Sequence, residues 1–180
     1  MKKNILLLAL LLFAISKNAY ASDIFNHPIS AEDASKKMPV FENKTCKFIQ
    51  NKYLTSSKIN LTSGGNFQFI KDKGVNFETT YPIQAKNSYT TADNKQINSI
   101  VKAVVNKNFS YIEKNFDLYY MPLNSSQWIF ALKPKSKSPL NKSLKSLCIT
   151  GENINNSGII TKMTISTENN TTTISFTQCA

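Results

Sequence analysis

The fold of this chain is decided by residues 45–82, which read TCKFIQNKYLTSSKINLTSGGNFQFIKDKGVNFETTYP. Apolar and polar residues alternate here, as at Ile59 and Leu61 or at Phe67 and Phe69, and this spacing is typical of strands with one apolar face. Working outward, the β-branched and aromatic content predicts consecutive antiparallel strands over 45–54, 58–70, 75–80 and 85–91. The predicted sheet therefore has one apolar side and one wet side.

Glycine and proline separate these segments. The turn signals are Gly64-Gly65, Asp72-Lys73-Gly74 and Tyr81-Pro82. Gly64-Gly65 falls inside a strand segment, so we interpret it as a bulge or a tight bend and not as a phosphate-binding loop.

Two regions depart from the strand pattern. Ser30 followed by Asp33 resembles a capping box, and Pro39 is expected to end the short helix that it begins. Further along, apolar residues recur at helical spacing and predict one or two short helices between residues 98 and 115. The recurring residues are Ile97, Ile100, Val101, Val104, Val105, Phe109 and Ile112.

Strands resume after residue 115 and continue to the end of the chain. Alternating apolar residues mark them: Phe116, Leu118 and Tyr120, then Trp128, Phe130 and Leu132, then Leu147 and Ile149, Ile160 to Ile165, and Ile174 and Phe176. Eight or more strands cannot leave a whole apolar face in water. Either the sheet curls and the helices cover its concave side, or two sheets form a sandwich.

The N-terminus predicts export. Lys2 and Lys3 precede an apolar run, and Ala19-Tyr20-Ala21 has the form of a signal-peptidase site. We therefore expect a cleaved signal peptide over residues 1–21 and one soluble periplasmic domain over residues 22–180. Ser22 stands where a lipoprotein would have its acylated Cys, which argues against a lipid anchor.

The chain is strongly basic, with a formal net charge of +11, and every basic residue other than the single His is Lys. For an exported protein the anionic partners are lipid headgroups, acidic lipopolysaccharide or an acidic protein face, and we expect no nucleic acid partner. The alternative is that the charge reflects AT-rich coding and serves solubility alone.

Three cysteines, Cys46, Cys148 and Cys179, suggest one disulfide and one thiol in an oxidising compartment. If 147–152, 159–167 and 172–178 form a meander, Cys148 and Cys179 are separated by two strand spacings, roughly 9–10 Å. That distance exceeds the reach of a disulfide, so Cys46 is expected to be one partner. The pairing of Cys46 with Cys179 is favoured.

Catalytic chemistry has little support in this sequence. The single His, His27, lies in the segment after the signal, where a mobile terminus is expected, and no C-x-x-C spacing or metal-ligand pattern occurs. We predict that the protein is not an enzyme and uses no cofactor or metal.

From Phe48-Ile49-Gln50 onward the chain resembles the LolA-type outer-membrane lipoprotein carriers. The first strand of that family has an F-x-Q element. Further matching segments follow in order: Ser63-Gly64-Gly65-Asn66-Phe67, Gly74-Val75-Asn76-Phe77, Thr79-Thr80-Tyr81-Pro82, Trp128 to Lys135, and Thr173 to Phe176.

The resemblance implies a mainly β (α+β) fold, a curved antiparallel half-barrel sheet with short helices as a lid over an apolar cavity. It implies a monomeric chaperone that takes acylated lipoproteins from an inner-membrane ATP-driven exporter to an outer-membrane acceptor. The expected cavity residues are Phe48, Phe67, Phe69, Val75, Phe77, Trp128 and Phe130. The expected lid residues are Ile100, Val101 and Val104.

One position departs from the family pattern. The family has a latch Arg that holds the lid shut, and Lys71 aligns with it. Lys lacks the planar fork of Arg, so Lys71 is the latch candidate of a looser latch. The Asp72-Lys73-Gly74 turn resembles variants found with aryl-polyene or glycolipid pathways, so a glycolipid carrier is an alternative. A non-transport envelope interaction protein is another, and the apolar residues would then form an ordinary core.

Overall fold

The computed structural model describes residues 23–71, 73–87, 95–155 and 157–180. The predicted signal peptide, its cleavage site before Ser22, Asp72 of the predicted turn and residues 88–91 of the predicted fourth strand lie outside these ranges.

Within the described ranges, eleven strands form one sheet, and most follow the predicted segments within one or two residues. They are β1 (Pro28–Ile29), β2 (Val40–Phe41), β3 (Lys44–Leu54), β4 (Ile59–Ile70), β5 (Gly74–Tyr81), β6 (Ala85–Asn87), β7 (Phe116–Pro122), β8 (Gln127–Pro134), β9 (Ser146–Ile154), β10 (Ser157–Ser166) and β11 (Asn170–Thr177).

In the part of the chain that the structure describes, three short α-helices accompany the sheet: α1 (Ala31–Lys37), α2 (Lys95–Val105) and α3 (Phe109–Glu113). Single 3-10 turns occur at Ile24–Asn26 and Pro139–Lys142. The predicted cap of α1 is confirmed, because the Ser30 hydroxyl oxygen accepts a hydrogen bond from the Asp33 N–H at 3.0 Å. No helix in the described ranges is long and apolar enough to span a membrane.

The strand order in space is β1-β7-β8-β9-β10-β11-β3-β4-β5-β6, and every neighbouring pair in it is antiparallel. The short strand β2 pairs with β10 in parallel. The sheet is not closed, since β1 and β6 are its two edges. The predicted fold class, an open antiparallel half-barrel with few short helices, is confirmed, and the sandwich alternative is wrong because these strands share one sheet.

The concave face of the sheet contains the main core, together with α1, α2 and α3. The opposite, convex face has a second apolar cluster that the sequence analysis did not predict. In it, Ile24 is fully buried against Met121, Ile129 and Ala131 of β7 and β8. The expectation of a mobile terminus around His27 is therefore wrong: the His27 carbonyl accepts a hydrogen bond from the Tyr120 N–H at 3.0 Å, and β1 extends the sheet next to it.

Candidate functional site

The concave face carries a cluster of four phenylalanine rings from four strands. Phe67 of β4 lies with its ring centroid 5.0 Å from that of Phe77 of β5 and 4.4 Å from that of Phe176 of β11. Phe48 of β3 meets Phe77 edge-on at 5.2 Å. Strand register places them together, because Phe67 pairs with Phe77 and Phe48 pairs with Phe176, and side chains of paired residues share a face.

Gly65 makes room for this cluster, since it is the residue that pairs with Phe48 on β4. It stands in a register shift between β4 and β5 at Gly64 and Gly65, so the bulge interpretation of the glycine pair is confirmed. A Cβ atom at Gly65 would overlap the Glu78 carbonyl group. The close approach of the two strands therefore requires glycine here.

A second aromatic group lies on β8, on the same concave face. Trp128 and Phe130 are 1% and 0% exposed, and Phe130 packs against Phe109 of α3 with ring centroids 5.3 Å apart. The Trp128 indole N–H donates a hydrogen bond to the Asn153 side-chain oxygen at 3.0 Å. Thus the structure places all seven predicted cavity residues on or against one core on this face.

Helix α2 covers the β4 and β5 part of this face. Its predicted lid residues Ile100, Val101 and Val104 are buried in the main core. Their spacing puts them on one side of the helix, and the helix packs on β5 and on α3.

The latch between helix and sheet is not formed by the predicted residue. The Lys71 side chain is exposed, and the backbone N–H of Lys71 donates to the Asn43 side-chain oxygen at 2.7 Å. Instead Asn98 of α2, which is 8% exposed, accepts a buried hydrogen bond from the Val75 N–H at 3.0 Å. This bond joins the first turns of α2 directly to β5.

Gly74 permits that contact. Its φ is 107°, a conformation that favours glycine, and a Cβ there would lie 2.6 Å from the Asn98 side-chain oxygen. Sequence reasoning missed Asn98 although a signal was present. Asn98 precedes Val101 by three residues and Val105 by seven, so a polar residue occupies an apolar position of the helix.

The interior under α2 is filled by side chains. A cleft of about 20 Å³ remains between β2, β4, β10 and α2, lined among others by Phe41, Phe69 and Val101. This is room for about one water molecule, whereas sites for drug-sized ligands occupy roughly 300–1,000 Å³. An apolar ligand can enter only if α2 moves.

Beyond α2 the concave face of β3 and β4 is open. Gln50, Lys52 and Leu54 continue the inward-facing positions of β3, and the Gln50 amide donates to the Ser63 hydroxyl at 3.2 Å. Leu61 and Ile59, which pair with Lys52 and Leu54, are 50% and 49% exposed. We call residues 50–63 the open hairpin.

The cysteines occupy opposite faces. The structure joins Cys46, on the concave face, to Cys179 by a disulfide with a Cα–Cα distance of 4.1 Å. Cys148 is a free, half-buried thiol that packs against the convex cluster. Burial raises the pKa of Cys148 to about 11, although the nearby Lys162 opposes the shift.

No protein-family model matches the chain, and no curated protein matches it. Among solved structures the chain is similar to a LolA superfamily protein from Nitrosomonas europaea, with 6% identity and a TM-score of 0.40 over 84% of this chain and 93% of that chain. It is also similar to a DUF1329 family protein from Desulfovibrio piger, with 8% identity and a TM-score of 0.35 over 85% of this chain and 92% of that chain.

These likenesses concern the fold alone. The described strands form the open antiparallel sheet with helices on its concave side that the sequence predicted. What the site binds has to be argued from its own geometry.

Proposed function

We propose that this protein is a periplasmic carrier that holds the acyl chains of lipoproteins between the concave face and α2, and that it shuttles them from the inner to the outer membrane. The observation that supports this most directly is the aromatic cluster beneath a separable helix. Phe48, Phe67, Phe77 and Phe176 offer a continuous apolar surface from four strands, and α2 packs on β5 at one side of it.

The position of α2 favours movement. It packs against β5, next to the edge strand β6, and against α3. In the described structure the hydrogen-bonded ladder of β5 runs to β4 and β6 and not to α2, so the helix can lift without breaking the strand pairing. One buried polar contact of α2 to the sheet is the Asn98 bond to Val75, and a neutral hydrogen bond contributes only about 0.5–1.5 kcal/mol net.

The energetics of cargo agree with a closed resting state. Removing a chain of about 15 methylenes from a bilayer costs on the order of 12 kcal/mol, at about 0.8 kcal/mol for each CH₂. A carrier has to recover most of that cost by burying the chain. Closure by α2 lowers the apparent affinity, because only the open fraction binds, so lid opening controls both uptake and release.

The proposed partners follow from this role: an acylated lipoprotein as cargo, an inner-membrane ATP-driven exporter as donor and an outer-membrane acceptor. The energised donor supplies the free energy that the carrier lacks against the membrane.

The test is binding of a fluorescent fatty acid to the purified mature protein, together with native mass spectrometry of protein isolated from the periplasm. We expect one lipid-bearing species by mass, and probe binding that becomes tighter in Asn98→Ala because more of the protein is open. Asn106→Ala is the matched control, since the side-chain oxygen of Asn106 is buried without a hydrogen-bond partner in the described structure.

A lipid-free mass combined with no probe binding in wild type and Asn98→Ala contradicts the carrier. It leaves the interaction-protein alternative, in which the apolar face is a permanent core. If the bound species is a glycolipid instead of a lipoprotein, the proposed carrier function is retained and the proposed cargo is wrong.

A further inference from the structure

The connections at one end of the sheet differ in charge from those at the other. We define the basic end as the connections that follow β3, β8 and β10, together with the junction before β7. The strand register places these four connections at the same end of the sheet. The pairs that show this are Leu54 with Asn170, Ser166 with Ser146, and Leu132 with both Leu147 and Leu118. Among the described residues, six lysines lie on these connections: Lys58, Lys114, Lys135, Lys137, Lys142 and Lys145.

Few acidic groups compensate for them. In the described part of the chain, the acidic residues near the basic end are Glu113, Asp117 and Glu168, and the Lys36 and Glu32 ion pair involves none of the six lysines. At the opposite end, Lys44, Lys71 and Lys73 are accompanied by as many acidic residues, namely Glu42, Glu152 and, in the sequence, Asp72. The excess of positive charge therefore lies at the basic end of the sheet.

The basic end also has a polar cleft of about 450 Å³. It is lined by Lys114, Asn115, Asp117, Lys135, Ser136, Lys137 and Ser138. Ammonium and hydroxyl groups around an open cleft can donate hydrogen bonds to the oxygens of a phosphate headgroup.

Apolar residues are exposed at the same end. Ile59 and Leu61 of the open hairpin are about half exposed, and Tyr53 of the same hairpin is 40% exposed. Aliphatic side chains beside lysines and a tyrosine are the combination that enters the interfacial layer of a bilayer, where apolar groups reach the acyl boundary and lysines stay with the headgroups.

We propose that the basic end docks on an anionic bilayer surface, with the tip of the open hairpin entering the headgroup layer. The occupant is a lipid surface because one end of the sheet carries both cationic connections and, on the β3–β4 hairpin, exposed aliphatic side chains. Docking at this end brings the uncovered part of the concave face, at the open hairpin, close to the membrane. This docking goes beyond the carrier function and does not depend on an acyl chain binding inside.

The first experiment measures cosedimentation of the full mature chain with vesicles of equal parts phosphatidylglycerol and phosphatidylcholine. We expect binding that salt weakens and that pure phosphatidylcholine vesicles lack. The double variant Lys137→Glu with Lys142→Glu should bind at least about tenfold more weakly, given the contribution of each lysine near an anionic surface. The control with the same charge change, Lys71→Glu with Lys73→Glu, should stay within about twofold of wild type.

Equal weakening in the two double variants means that net charge alone causes binding, and it overturns the proposal. Absence of vesicle binding by the wild-type protein also overturns the proposal. If the wild-type protein then binds an acidic protein and not the vesicles, the basic end is assigned to a protein partner. All four lysines are exposed, so circular dichroism should show an unchanged fold.

The second experiment tests the hairpin tip. Ile59→Ser with Leu61→Ser should weaken vesicle binding by about threefold or more, through lost apolar contact. Ile49→Ser with Ile154→Ser, at residues 47% and 44% exposed but away from the tip, should leave it unchanged. An equal loss in both pairs overturns insertion of the tip. If the protein binds vesicles but no fatty-acid probe, the docking proposal stands and the carrier proposal is contradicted. The failure of one proposal can therefore be told from the failure of the other.

Discussion

Strands β3 and β4 have a covered half, which is packed in the main core, and an open half, which is exposed. The pairing between the two strands is the same in both halves. In the covered half, Phe48, Phe67 and Phe69 are at most 6% exposed. In the open half, Leu61 and Ile59 occupy the same face at about half exposure. The register from Lys44 with Phe69 to Leu54 with Ile59 is unbroken.

This comparison separates two sources of order. The backbone ladder extends through both halves, but only the covered half gains the free energy of a packed core. Substitutions in the covered half should therefore change the free energy of unfolding. Substitutions in the open half should change binding at its exposed surface.

The largest expected difference comes from truncating one apolar side chain in each half. Phe67→Ala should lower the free energy of unfolding by about 3–5 kcal/mol, because it leaves a cavity in the aromatic cluster. Leu61→Ala should change it by less than about 0.5 kcal/mol, as for other exposed sites. Urea unfolding followed by circular dichroism measures both. Similar losses would mean that the open half is packed in solution.

The disulfide should come next in size. Replacing Cys46 and Cys179 together by Ser removes a cross-link that spans 133 residues of sequence in the covered half. The expected loss is about 2–4 kcal/mol of unfolding free energy. Cys148→Ser is the control and should have a smaller effect, and equal denaturation midpoints for the double variant and wild type would contradict the prediction.

Asn98 tests how firmly the cover is joined. Asn98→Ala leaves the Val75 N–H buried without an acceptor, which costs about 1–3 kcal/mol. Hydrogen exchange should become faster at the Val75 amide and along α2, while amides of β8 and β9 keep their protection. Asn106→Ala should leave exchange at Val75 unchanged. Faster exchange throughout the sheet would show that α2 does not open separately.

Cys148 provides a reference outside both halves, on the convex face. With its pKa raised to about 11 from 9.0, its thiolate fraction near pH 8 is reduced about a hundredfold. Iodoacetamide should therefore modify the native protein about a hundredfold more slowly than the unfolded chain, with a rate that rises up to about pH 11. Equal rates would place the thiol in solvent and show that the convex cluster is loose.

The strands could be predicted from sequence because their signal is local. Alternation at Phe67 and Phe69 and the glycine pair at 64–65 fix faces and a bulge without knowledge of distant residues. The convex cluster also had a signal that was not used: residues 128–132 are all apolar, as expected of a strand buried on both faces.

The cover could not be predicted in the same way. The acceptor role of Asn98 depends on the Val75 N–H, 23 residues earlier, and a helical pattern treats a polar residue as solvent-facing. Whether phenylalanine rings enclose space or fill it depends on side-chain volumes and rotamers, which periodicity does not contain. For this reason the sequence predicted an apolar cavity and the structure shows a closed one.

The adjacency of β11 and β3 has a consequence for biogenesis. Thr177 pairs with Lys47 in the first long strand, so the middle of the sheet cannot form until the chain has emerged as far as β11. Strand pairings between residues this distant in sequence form slowly. Until β11 pairs with β3, the phenylalanines of β3 and β4 lack their packing contact with Phe176. We expect β3 to stay without its β11 partner during most of synthesis, which is compatible with the export that we propose.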